Sequence, residues 1–152
     1  MKLSEALVLR ADMQKRVEQL RERLRTSALV QEGEQPPEDP RELLAELDRL
    51  FEQLTDLIPR INRTNLSATL EGGLTLTDAL ARRDILTLRG GVLKSTADAA
   101  ANTVGRYSRT EIRQVATIDV GALRRQIDRL AQERRELDTA IQAANWTTEL
   151  LD

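Results

Sequence analysis

Neither cysteine nor histidine occurs in the 152 residues. Their absence removes disulfides, thiolate nucleophiles, imidazole acid–base chemistry and metal sites built on sulfur or imidazole ligands. An all-oxygen site is the one metal option left. Aromatic residues are almost as scarce, with Phe51, Tyr107 and Trp146 making up the whole set, so a core must be assembled from Leu, Ile, Val and Ala. No apolar run approaches the roughly 20 residues of a membrane-spanning helix. The opening MKLSEALVLRADMQKR lacks the basic segment and apolar run of a secretory signal, so a cytoplasmic location is expected and membrane partners are not. The formal net charge of -2 gives no general pull toward nucleic acid, and nucleic acid is not expected as a partner.

What remains is charge and aliphatic periodicity. Charged residues are 32% of the chain, which together with helical spacing of Leu and Ile is the composition of helical hairpins and coiled coils. A chain of this length supports one domain, so residues 1–152 are read as a single, mainly α domain of four long helices. Met13, Val17, Leu20 and Leu24 set the seam of the first helix, over 2–25. Residues 26–40, with Gly33, Pro36, Pro37 and Pro40, are a linker expected to be mobile. Asp39 is a good N-cap, and Pro40 suits the first turn that follows it. The second helix, over 40–62, carries a wide apolar stripe from Leu43 to Ile61, and Pro59 is expected to kink or end it. Residues 2–25 hold seven bases and four acids, while 38–60 hold three bases and seven acids. This complementarity favours an antiparallel helical hairpin.

Between the second and third helices the period changes. Leu66, Ala68 and Leu70 alternate with polar residues, as do Leu74 and Leu76, with Glu71-Gly72-Gly73 between the two runs. Period two around such a loop predicts a small antiparallel β-hairpin over 66–77, with Thr77 capping the third helix. That helix is read as continuous through Gly90-Gly91 and ending near Gly105. Residues 110–118, TEIRQVATI, are read as a third strand or an extended segment. Asp119 then caps a fourth helix with a regular seam of Val120, Leu123, Ile127, Leu130, Leu137, Ile141 and Ala144, in which Arg134 takes the place of one aliphatic residue. A buried arginine there would need an acidic partner and would fix register.

Few residues suggest chemistry. Asn62, Arg63, Thr64 and Asn65 form a dense polar cluster, suited either to closing a helix end or, through Arg63, to holding an anion or a partner. Asp48, Glu52 and Asp56 stand four apart on one helix and read as a solvated face rather than a metal site. Gly72-Gly73 and Gly90-Gly91 lack the Lys and the strand–turn–helix spacing of a phosphate loop. Arg106, Tyr107, Arg109 and Arg113 are too short a basic run to bind nucleic acid on their own. Trp146 and Leu150-Leu151 close the chain as an apolar tail. No catalytic residue, metal or cofactor is assigned, and the expected partner is a second copy of the chain.

Three segments carry a family resemblance: Ile61-Asn62-Arg63-Thr64-Asn65, Leu76-Thr77-Asp78-Ala79-Leu80-Ala81-Arg82-Arg83-Asp84, and Ile141-Gln142 with Asn145-Trp146. Through them the chain resembles a small bacterial family labelled septicolysin-like, a label that implies a pore-forming cytolysin. Two functions therefore stand side by side. The first is a non-enzymatic helical protein that self-associates into a homo-oligomer as a scaffold or assembly subunit. The alternative is a membrane-active, pore-forming oligomer of amphipathic helices.

Overall fold

A computed structural model describes residues 1–102 and 112–152. Among them are four helices, α1 (Leu3–Ser27), α2 (Pro40–Ser67), α3 (Leu76–Ala101) and α4 (Val120–Thr147). The residues group into two compact units, one of 1–68 with 144–152 and one of 69–143.

In the first unit α1 and α2 form an antiparallel hairpin. The opposite charges foreseen for them meet: Arg16 pairs with Glu46 at 2.6 Å, and Arg23 pairs with Glu38 through two hydrogen bonds. The residue numbers of the two pairs run in opposite directions along the helices, which fixes the orientation. Each pair lies at a partly solvated edge, where screening by water keeps its contribution small. Burial of Leu3, Ala6, Leu20, Leu43, Leu54, Leu57 and Ile61 supplies more of the stability. Asp39 caps α2 by accepting a hydrogen bond from the Arg41 amide at 2.9 Å, with Pro40 as the first helical residue. In the connecting loop the Glu34 amide donates to the Gln31 carbonyl at 3.0 Å, and Gly33 adopts φ +88 at the third position of that turn, a conformation costly for any residue with a Cβ.

The β-hairpin over 66–77 is not formed, and there is no β-strand among the described residues. Pro59 does not end α2, which continues to Ser67. Its buried line Leu54, Leu57, Ile61, Thr64 keeps helical spacing past the proline, and the Ala68 amide closes the helix on the Thr64 carbonyl at 2.8 Å. Leu66 therefore projects outward, 64% exposed, instead of joining an aliphatic strand face. Because α3 begins at Leu76, only residues 68–75 remain between the helices. They form a tight turn with a single antiparallel bridge between Thr69 and Thr75. Gly72 and Gly73, at φ +97 and +86, reverse the chain, with the Leu70 amide on the Leu74 carbonyl at 2.8 Å. The helix cap is Thr75, whose hydroxyl accepts from the Asp78 amide at 3.1 Å, and not Thr77.

In the second unit α3 and α4 are joined by Arg82 to Glu133 at 2.5 Å and Arg83 to Asp138 at 3.2 Å. Buried here are Leu70, Leu76, Ala79, Leu86, Ala97, Leu123, Leu130 and Ile141. α3 passes through Gly90-Gly91 without a break and ends at Ala101. Gly105, the expected stop, lies outside the described residues. Residues 112–118 are irregular rather than strand, and positions 110 and 111 of the expected third strand fall outside the described residues. Asp119 does cap α4, accepting from the Ala122 amide at 2.9 Å.

Candidate functional site

The polar cluster at 62–65 lies in the last turns of α2, and its role follows from the direction in which each side chain leaves the helix. Thr64 is fully buried. Its hydroxyl donates back to the Arg60 carbonyl at 2.8 Å and accepts from the Leu151 amide at 3.0 Å. Arg60, one turn earlier, donates from Nε to the Leu151 carbonyl at 3.1 Å and pairs with the Asp152 carboxylate at 3.1 Å. Arg63 donates from Nε to the main-chain oxygen of Asp152 at 2.9 Å. Arg60, Arg63 and Thr64 thus form a clasp around residues 151–152. Asn62 is exposed and Asn65 half-buried, so the cluster divides: two of its four members hold the chain's own backbone.

The segment beyond α4 is tied at a second place. The Leu3 amide donates to the Thr148 carbonyl and the Leu150 amide to the Met1 carbonyl, both at 2.9 Å, around an antiparallel bridge between Lys2 and Glu149. Glu149 receives the Lys2 ammonium at 2.5 Å and the Met1 amino group at 3.3 Å. These two cations, the Lys2 hydrogen bond first, hold its carboxyl below the usual glutamate range. The Glu38 carboxyl is lowered in the same way by its hydrogen bond from Arg23. Both groups are stabilised as anions, the reverse of what a general acid needs.

Trp146 is 66% exposed in the last turn of α4. It lines a shallow hollow with Val8 and Leu9 of α1, bordered by Glu5 and Asp12. Beside it Asn145 is buried, so the Asn-Trp pair turns one residue inward and one outward. Arg134 is exposed, which corrects the expectation of a buried seam cation. The buried line of α4 includes Leu123, Leu130 and Ile141. Around the position of Arg134 it is Glu133 and Asp138 that meet the α3 arginines. The 3-4 count ran straight through a stretch where the covered side of the helix has shifted, so an exposed position was counted as seam.

Among the described residues no cluster of three or more carboxylates is placed to hold a metal ion, and no helix is long and apolar enough to cross a membrane. Arg106, Tyr107 and Arg109 lie outside the described residues, and Arg113 is exposed.

Sequence reading missed one surface. On α3, Ile85, Leu88 and Val92 are 61%, 64% and 57% exposed, at the 3-4 spacing of a single helix face. Ala81, Ser95 and Ala99 extend the same line and are also exposed. The signal was present as a second aliphatic phase beside the buried Leu86 and Ala97.

The chain belongs to a family without a known function: residues 10–150 match Family of unknown function (DUF6847). It is similar to a functionally unknown conserved protein from Corynebacterium diphtheriae whose crystal structure has been solved. The two share 44% sequence identity over 99% of each chain, with a TM-score of 0.93. No curated protein matches the chain. Neither match bears the septicolysin-like name, so that part of the resemblance is set aside, and membership of an uncharacterised helical family is what stands.

Proposed function

We propose that this chain is a non-enzymatic helical protein that acts by self-association, as a scaffold or assembly subunit whose partner is another copy of itself. The observation that carries the reading is the aliphatic face of α3, where Ile85, Leu88 and Val92 stand in water side by side. Single exposed aliphatic residues are ordinary, but a continuous line of them on one helix is the mark of an interaction surface. The polar cluster supports the same reading from the other side. Arg60, Arg63 and Thr64 are spent on residues 151–152 and hold the fold rather than present a ligand site. With no Cys and no His, catalysis would fall to carboxylates and arginines, and the displaced carboxyls, Glu38 and Glu149, are already paired. Size-exclusion chromatography with light scattering, run from micromolar to near-millimolar protein, tests the proposal. A mass above the 17.1 kDa of one chain, rising with concentration, is expected. A single-chain mass throughout overturns it.

A further inference from the structure

We infer that α3 is the self-association element and that two copies pair through it in parallel and in register, as a short two-stranded coiled coil. This inference rests on the self-association proposed above and adds the face and the orientation. The exposed line Ala81, Ile85, Leu88, Val92, Ser95, Ala99 is spaced 4-3-4-3-4, so Ile85 and Val92 take heptad position a and Leu88 takes d. β-branched residues at a with leucine at d are the combination that favours a parallel dimer. The flanking charges point the same way. Asp84 precedes the a position of Ile85 and Arg89 follows the d position of Leu88. In a parallel pair a residue at g meets the partner's residue at e five positions later, and Asp84 and Arg89 are five apart. Each copy thus offers an acid to the other's base on both sides of the seam, since Asp84, although 3.4 Å from Arg83 of its own chain, keeps 71% of its side chain exposed.

An antiparallel pair with Leu88 against the partner's Val92 would place Asp84 beside the partner's Asp98 and bring the two Arg89 side chains together. Those like charges count against it. Arg89 is exposed and has no ion pair among the described residues, whereas Arg82, on the same flank, is bound to Glu133. Glycine supplies a second, independent observation. Gly90 and Gly91 stand in the middle of a continuous helix, and apart from their chain neighbours and the helix's own backbone no atom among the described residues lies within 4 Å of where a Cβ would stand at either. Packing among the described residues therefore gives no reason for their lack of a side chain. Gly91 occupies the g position next to Val92, where a bare flank lets a second helix approach closely.

The natural absence of cysteine makes the test direct. Leu88→Cys places one thiol at the centre of the seam, and Lys94→Cys places one on an exposed part of α3 away from it. Under mild oxidation in-register parallel pairing links two Leu88→Cys chains and leaves Lys94→Cys chains unlinked. Efficient linking only in mixtures of Leu88→Cys with Val92→Cys would show the antiparallel arrangement and overturn the inference. Charge exchange gives a second measure: Asp84→Arg or Arg89→Asp weakens association about tenfold, and the double exchange brings it to within about threefold of the parent. A doubled mass in light scattering with no Leu88→Cys link refutes the α3 seam while leaving self-association intact. A single-chain mass at all concentrations refutes both.

Discussion

The two units are built from helices of similar length and from the same aliphatic and charged residues, yet they are finished differently. In the first, α1 and α2 are joined by Arg16–Glu46 and Arg23–Glu38, and the segment after α4 is fastened by Arg60, Arg63, Thr64 and the Lys2–Glu149 bridge. In the second, Arg82 and Arg83 fasten α3 to α4, while the opposite phase of α3 keeps Ile85, Leu88 and Val92 exposed. The first unit directs Arg60, Arg63 and Thr64 to its own backbone and exposes apolar side chains around the hollow of Val8, Leu9 and Trp146, whereas the second exposes a straight aliphatic line along one helix. The difference teaches where to look for function: a polar cluster that is internally satisfied holds the fold, and an exposed apolar line is where the proposed self-association is to be tested.

Substitutions sharpen that contrast. Ile61→Ala, at a fully buried position of the clasped unit, is expected to cost about 2–5 kcal/mol. Leu88→Ala, on the bare face, is expected to cost less than about 0.5 kcal/mol in dilute solution while weakening association. Urea denaturation of both variants checks this, and equal losses would erase the distinction between the two faces. Thr64→Val keeps the shape of a buried side chain but withdraws the acceptor from the Leu151 amide. A loss of about 1–2 kcal/mol is expected, with faster hydrogen exchange at Leu151. Stability at the parent's level would mean that the clasp contributes nothing.

Gly90→Ala is expected to stabilise α3 by about 0.5–1 kcal/mol, because the backbone there is helical and the space beside it is open. A lower melting temperature would reveal a neighbour at that position. Acid has the mildest effect. Glu38 and Glu149 have lowered carboxyl pKa values, so their stabilising contribution is complete above the ordinary glutamate range and is lost as pH falls through the lowered values. The melting temperature should decline over that acidic interval, and Glu149→Gln should flatten the decline. A variant that follows the parent's profile would show the Glu149 pairings to be inert.

The helices were legible because their signals are long. Asp39-Pro40, the charge contrast between 2–25 and 38–60, and the seam around Leu123, Leu130 and Ile141 repeat over many residues, and each has a direct structural counterpart. The turn at 68–75 was misread because a period of two over a few residues is a weak signal. Leu66 and Ala68 also fit the end of a helix, and the continuing line Leu57, Ile61, Thr64 decided in favour of helix despite Pro59. Arg134 was misplaced because a regular 3-4 count does not reveal which side of a helix its neighbours cover. The division of the cluster was hidden for a different reason: Arg63 and Thr64 meet Asp152 and Leu151, almost 90 residues away, and no local pattern carries that contact. On α3 two aliphatic phases overlap, and only packing separates the buried Leu86 from the exposed Leu88.

Sedimentation equilibrium of the parent beside Leu88→Glu tests the central claim most directly. The account predicts a parent mass approaching twice 17.1 kDa at high concentration, and a variant that stays at the mass of one chain with an unchanged helical circular-dichroism spectrum. A parent that remains at 17.1 kDa, or a Leu88→Glu variant that associates as strongly as the parent, would contradict it.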